Sequence, residues 1–373
     1  AASPAGGGAG AGLVVAGPED EDVALFCLDV LVGVTLRNKD RAKALLPHVY
    51  GYLRIVVQSA KAPSPLVERA IFELVRVCRR LLPVSDDLNL SDELLDSLRL
   101  MFALEPAVAD AFIERIAREL CVLVSVAADK VRTQKGWDTI CKLLMASARH
   151  PDAAAHGFSA LSRIMGAAVA SEDGAAEGAS AATPAAATAE GAIVESRVRP
   201  WNVKSFVEAA AAFVDATQGG DARSIAAISL LSSACASMCA WCQGDDAVET
   251  ALAFASLTSP QGASPPPPEQ AVTSLRAHAL LGPWNDVVGE LRRVGESESR
   301  AGVRDDALLT LQRVLLAAEG LHAPPTHWMM LIDGALLPMA AALGERCRAA
   351  GAGRTPAAAE ARVAAERTAR IGV

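Results

Sequence analysis

The 373-residue sequence has few aromatic side chains: Phe, Tyr and Trp together make up 4% of it. Alanine fills much of the apolar share instead, which favours helices packed closely through small side chains. The chain also lacks an excess of positive charge, with 35 Lys and Arg against 43 Asp and Glu, a formal net charge of -8. Nonspecific nucleic-acid binding needs a dense basic stripe to neutralise phosphates, so that class is excluded. Basic residues alternate with acidic ones along helical faces instead, as in Glu68-Arg69, Glu73, Arg76 and Arg79-Arg80. The N-terminus, AASPAGGGAGAGLVVAG, has no positive region and too much glycine for a signal peptide. It opens on Ala rather than Met, as a processed or truncated product would. The eight cysteines are scattered, not framed at disulfide spacings, which predicts reduced thiols in a cytosolic setting.

Catalytic signatures are equally scarce. The N-terminal glycines follow no strand pattern and precede no Lys-Ser/Thr pair, so they are no phosphate loop. The histidines at 48, 150, 156, 278, 322 and 327 never combine with a third donor at ligand spacing. Asp86-Asp87, Asp245-Asp246 and Asp305-Asp306 are neighbours in sequence and suit helix starts or solvated turns rather than acid/base work. Cys235, Cys239 and Cys242 have the CxxxCxxC spacing with which radical-SAM enzymes hold an iron–sulfur cluster. That chemistry needs a loop beside a barrel strand, and no strand is evident. The three positions instead continue an apolar helical face begun by Ile225, Ile228 and Leu231. No catalytic, cofactor-binding or metal-binding residue is assigned.

What is present is helical periodicity. Over Pro65–Leu82 one face carries Val67, Ala70, Ile71, Leu74, Cys78, Leu81 and Leu82, with Ser64-Pro65 as cap and first turn. Ser91-Asp92-Glu93 is expected to open a short helix, Glu105-Pro106 another, and His150-Pro151 to end the Trp137–Arg149 helix and start the next. The uncharged run Ser224–Gly244 is long enough to cross a bilayer. Its five serines and one-sided large residues predict a buried helix instead. Amphipathic hairpins of this kind cannot bury both faces alone and therefore stack. The expected fold is all-α, a HEAT/armadillo-like helical-repeat solenoid, preferred over ankyrin or tetratricopeptide units because no strict period is visible.

Composition divides the chain into a disordered N-terminus (1–18), a first helical-repeat block (19–170), a low-complexity linker (171–199), a second block (200–345) and a tail (346–373). A proline-rich loop at 259–269 interrupts the second block. The most distinctive stretch is RTQKGWDTICKLL, Arg132–Leu144. Its Gly136-Trp137 pair sets an indole at a helix start, with the N–H placed to bond a turn carbonyl. Gly136 and Trp137 are the candidate residues, as a packing anchor between hairpins or as part of a partner-binding groove.

Several segments, in order, carry a family resemblance: LDVLVGVTLRNKDRAKALLPHVYGYL, ERAIFELVRVCRRLLP, DELLDSLRLMFALEPAVADAFIERIARE, RTQKGWDTI and SARHPDAAAHGF. DARSIAAISLL, RDDALLTLQRVLL and HWMMLIDGALLPMAAAL continue it. The chain resembles the region downstream of the catalytic Sec-seven domain in large ARF guanine-nucleotide exchange factors of the GNOM/GBF type. The low-complexity insertion and the polyproline stretch depart from that pattern. The exchange domain, with its nucleotide-displacing glutamate, has no counterpart here. The resemblance implies a regulatory and scaffolding region in Golgi and endosomal vesicle trafficking. Its implied partners are an ARF-type small GTPase, through the parent protein, and the other domains of the exchange factor. The implied location is cytoplasmic, peripheral to Golgi or endosomal membranes. The alternative is a free-standing helical-repeat adaptor for protein–protein interaction.

Overall fold

The computed structural model describes residues 18–166, 195–216, 220–243, 246–258 and 266–351. The expected disordered N-terminus, most of the low-complexity linker, most of the proline-rich loop and most of the tail lie outside these residues. Among the described residues every regular element is a helix, as an all-α repeat fold requires. The chain divides into two compact units, Ala1–Leu143 and Leu144–Val373.

The first unit contains α1 (Pro18–Arg37), α2 (Ala42–Ser59), α3 (Pro65–Leu81), α4 (Leu88–Ser97), α5 (Pro106–Ala127) and the start of α6 (Gln134–Ser147). A 3₁₀ stretch, Leu98–Ala103, continues α4. The middle of this unit is α3, which packs against α1, α2, α4 and α5. The Ser64 side chain accepts the Val67 N–H, and Pro65 fills the first turn, where a missing N–H costs nothing. Ala70, Leu74, Val75, Val77 and Cys78 are fully buried. Each large aliphatic among them contributes up to about 1.5–3 kcal/mol. The helix expected from Ser91 begins earlier, at Leu88. Asp87 captures that start because its carboxylate accepts the Asn89 N–H at 2.9 Å and the Leu90 N–H at 3.4 Å.

One buried charge is accommodated on α3. The Glu73 side chain is 0% exposed, yet Arg76 lies 2.8 Å and Arg69 3.2 Å from it. Burial raises its pKa and the two guanidinium groups oppose that rise. Arg69 also reaches Asp29 on α1 at 2.7 Å, and Arg115 on α5 reaches Glu68 at 3.1 Å. Both Arg69 and Arg115 lie over the Phe72 ring, 5.3 and 5.0 Å from its centroid.

The second unit holds the end of α6, then α7 (Pro151–Met165), α8 (Val203–Asp215), α9 (Gly220–Ala240) and α10 (Asp246–Thr258). Next, α11 (Pro268–Ser274) runs through a π-helical stretch, Leu275–Leu280, into α12 (Leu281–Ser297). After α13 (Ala301–Ala317), α14 (Pro325–Leu331) passes through a second π-helical stretch, Ile332–Leu336, into α15 (Leu337–Gly351). In this unit α9 packs against α8, α12 and α13. Its Ile228, Leu231 and Met238 are fully buried, and Ile225 is half-buried. Two helical runs, Gly220–Ala240 and Pro325–Arg346, are long and apolar enough to cross a membrane by length and composition. Half of the apolar window of α9 is buried against its neighbours, as in a core helix.

Arg300 ties this unit together at the α12–α13 turn. It donates to the Ser224 hydroxyl (2.9 Å), the Val214 carbonyl (3.3 Å) and the Glu298 carboxylate (2.8 Å). Glu298 also accepts the Arg300 N–H at 2.9 Å. Arg300 therefore holds the Glu298 carboxyl well below the ordinary carboxylate range, at about 2.

Candidate functional site

Gly136 and Trp137 occupy the first turn of α6. Trp137 is 2% exposed, and its Nε1–H donates to the Val131 carbonyl at 2.8 Å, the turn bond its position called for. Gly136 is small for a reason: a Cβ there would lie 2.7 Å from Leu95 Cδ1 and 3.2 Å from Val131 Cγ1. Thr133 locks the same turn, accepting the Gly136 N–H at 3.3 Å and donating to Asp92 at 2.8 Å. Gly136 thus brings α6 close to α4, and the indole is buried. What solvent meets nearby is the Lys135–Asp96 ion pair at 2.7 Å.

A concave surface lies close by in the same unit. Pro47, Tyr50 and Arg54 of α2 face Glu93, Asp96 and Ser97 of α4, with Leu100 and Ala103 beyond. They line a cleft of about 510 Å³. The Tyr50 hydroxyl is buried there beside Ser97. Burial pushes its pKa up, Cys78 and Glu93 push the same way, and Ser97 opposes them, so the phenol stays a neutral donor. Arg54 and Arg99 supply positive charge to the lining and Glu93 and Asp96 negative charge, with no nucleophile–base pair among the lining residues. Periodicity missed this cleft; the available signal was Pro47, a proline inside an otherwise amphipathic helix.

Cys235 and Cys239 lie on α9 and Cys242 just after it, all buried. Burial raises all three thiol pKa values, Cys235 most, with neighbouring Cys239 and Cys242 adding to the effect at Cys235 and Cys239 respectively. For Cys242 the Arg276 guanidinium opposes the rise. Thiols held this way are poor sources of the thiolate that metal ligation uses. The second unit also holds a ring cluster that the sequence did not signal. Trp284 is fully buried on α12, 6.0 Å from His327 and 5.9 Å from Trp328 of α14 between ring centroids. Trp284 Nε1 and His327 Nε2 are both buried without hydrogen-bond partners.

With this geometry in place, sequence relatives give it a context. Residues 284–368 match a family described as the GBF1-like tetratrico peptide repeat region. The match begins at the Trp284 of the ring cluster. The matched description names tetratricopeptide units there, helix hairpins within the expected all-α helical-repeat class. The chain is 34% identical over 325 residues to the ARF guanine-nucleotide exchange factor GNL1 of Arabidopsis thaliana, covering 87% of this chain and 19% of that protein. It is 33% identical over 316 residues to GNOM of the same plant, covering 85% and 18%. A Golgi-specific brefeldin A-resistance guanine nucleotide exchange factor 1 homolog of Caenorhabditis elegans is 36% identical over 130 residues, covering 35% and 6%. The chain therefore spans about a fifth of the length of the first two relatives. No solved structure matches.

Proposed function

We propose that this chain, which belongs to the GNOM/GBF-type family of ARF guanine-nucleotide exchange factors, is a regulatory and scaffolding region of such a factor and does not itself perform exchange. The observation that carries this reading is the extent of the match: nearly the whole chain aligns with about a fifth of each plant relative. The stacked hairpins add the physical means, since repeat helices present extended surfaces for other proteins. In this role the chain contacts other domains of the exchange factor and, through the parent protein, an ARF-type small GTPase. It acts in the cytoplasm, peripheral to Golgi or endosomal membranes, in vesicle trafficking. The cleft between α2 and α4 is the concave surface proposed to receive a segment of another domain.

The test is nucleotide release from a purified ARF-type GTPase, followed by a fluorescent GDP analogue. The chain alone is expected to leave the release rate unchanged, and a clear acceleration would overturn the non-catalytic assignment. The chain is then added to a parent exchange factor lacking the matching region. Binding with a changed exchange rate or membrane recruitment supports the regulatory role, and no binding favours the free-standing adaptor.

A further inference from the structure

Helix α1 buries one side and presents an apolar stripe on the other. Ala24, Leu28, Val32 and Thr35 turn inward, where α1 packs against α2 and α3. Polar contacts fasten the helix as well: the Tyr52 hydroxyl donates to the Ala24 carbonyl at 3.1 Å, and the Glu21 carboxylate accepts the Leu66 N–H at 3.0 Å. On the outer side Val23 is 62% exposed, Phe26 68%, Val30 47% and Val34 46%, with exposed Cys27 among them. At about 100° per residue these five fall within one stripe of the helix. A contiguous apolar face on a helix held this firmly marks an interaction surface.

Charge at the two ends of the stripe selects its occupant. Glu19, a turn before Val23, and Arg37, a turn after Val34, lie on the same stripe, and both are exposed. Glu19 and Arg37 are equally far from Leu28, as are Phe26 and Val30, while Val23 and Val34 differ by one residue. A second α1 laid antiparallel therefore sets Glu19 against Arg37, Val23 against Val34 and Phe26 against Val30. Each contact is made twice, as a two-fold interface requires. A parallel pair would instead oppose Glu19 to Glu19 and Arg37 to Arg37. Gly33, beside Val34, has nothing within 4 Å of where a Cβ would stand, so a facing helix can come close there. Exposed Glu19 and Asp22 disfavour an anionic bilayer as the occupant.

We propose that the α1 stripe is the contact between two copies of this chain, packed antiparallel about a two-fold axis level with Leu28. One helix against its copy falls below the roughly 1,200 Å² at which stable interfaces begin, so the dimer is weak, with a dissociation constant on the order of micromolar. The pairing draws on nothing in the exchange-factor role.

Sedimentation velocity of the full chain over a range of concentrations is expected to show a monomer–dimer equilibrium. Val30→Glu sets two carboxylates near the axis and should raise the dissociation constant by roughly a hundredfold. Val126→Glu, at another exposed apolar site in the same unit, should leave it unchanged. Glu19→Arg or Arg37→Glu alone should raise it by roughly fivefold, because each inverts both symmetric end contacts. The two changes together should restore the dimer. Direction is read by crosslinking in a Cys27→Ser background. Chains carrying Val23→Cys are mixed with chains carrying Val34→Cys, treated with bismaleimidoethane, and the linked peptides identified by mass spectrometry. A link between positions 23 and 34 of different copies is expected. Two copies of position 23 lie roughly 16 Å apart along an antiparallel pair and should not join. A monomer at every soluble concentration, a dimer indifferent to Val30→Glu, no restoration by the double charge reversal, or a link from position 23 to its own copy would overturn the proposal.

Discussion

Replacing Trp137 tests whether the most distinctive sequence motif is an anchor for the helices around it. The indole is 2% exposed and its single polar atom, Nε1, is committed to Val131 at 2.8 Å. Trp137→Ala removes a buried surface of about 150–250 Å² and leaves a cavity that the neighbouring helices close only in part. The expected cost is about 3–5 kcal/mol. That is a large share of the roughly 5–15 kcal/mol that stabilises a domain. Trp137→Phe separates the two contributions: it keeps most of the ring and deletes only the donor, leaving the Val131 carbonyl unpaired in a buried turn. About 1–3 kcal/mol is expected there. Lys135→Ala, which loses only the solvent-exposed pair with Asp96, should cost under about 1 kcal/mol. Urea unfolding followed by circular dichroism at 222 nm reads all three as midpoint shifts. The anchor reading fails if Trp137→Ala moves the midpoint no further than Lys135→Ala does. If instead Trp137→Phe matches the parent chain, the Val131 bond contributes nothing and packing alone carries the effect.

Gly157 sits where α7 meets the end of α6, and a Cβ there would collide with the Ser147 hydroxyl and press on Phe213. Gly157→Ala should therefore lower the melting temperature: overpacking costs about 1–3 kcal/mol, against about 1 kcal/mol gained in helix propensity. An unchanged or raised melting temperature would refute the close approach. Glu298 has its pKa lowered from an ordinary 4.5 to about 2, chiefly by the Arg300 guanidinium. A depressed carboxylate contributes stability above its unfolded pKa and loses it as pH falls through the folded one. Glu298→Gln should thus melt lower than the parent chain at pH 7, with the gap shrinking below about pH 4.5 and closing near pH 2. A gap independent of pH would sink that account. Burial pushes the Cys78 thiol up to about 12, whereas Cys27 is exposed. Brief alkylation at pH 8 with peptide mapping should label Cys27 well before Cys78, Cys235, Cys239 or Cys242. Early labelling of Cys78 would place it outside the core.

The elements that read correctly from sequence were those specified by local chemistry. Ser64-Pro65 and Glu105-Pro106 begin helices because a first-turn proline has the right φ and no N–H to lose. The α4 start was misplaced because two acidic stretches competed. Asp92 resembled a first-turn acid, whereas the cap that forms is Asp87, three residues before Leu90. Distinguishing them required knowing that Asp92 accepts from Thr133, forty-one residues away. The Trp137 bond to Val131 was legible because donor and acceptor lie six residues apart. The cleft between α2 and α4 was not, since its two walls are far apart in the chain and only Pro47, inside α2, breaks the pattern on either of them.

The same distinction bears on how the region works. Long-range polar contacts in each unit, such as Arg69 to Asp29 and Arg300 to Val214 and Ser224, join helices that periodicity alone cannot pair. In stacked hairpins, neighbour-to-neighbour interfaces of this kind set the stability of each unit. Arg300 joins several such partners at the α12–α13 turn, within the stretch that the tetratricopeptide match covers. Arg300→Ala would leave Glu298 without its guanidinium and the Val214 carbonyl without that donor. The expected loss is about 2–4 kcal/mol for the charged and neutral bonds together. Arg300→Lys should recover only part of it, because an ammonium cannot reproduce the forked contacts to Glu298, Ser224 and Val214. Hydrogen exchange would locate the change. Faster exchange at the C-terminal end of α8 and the N-terminal turns of α9 and α13, with α3 and α5 unaffected, is the expected pattern. Uniform acceleration across the chain would mean that the arginine does not act as a local clamp.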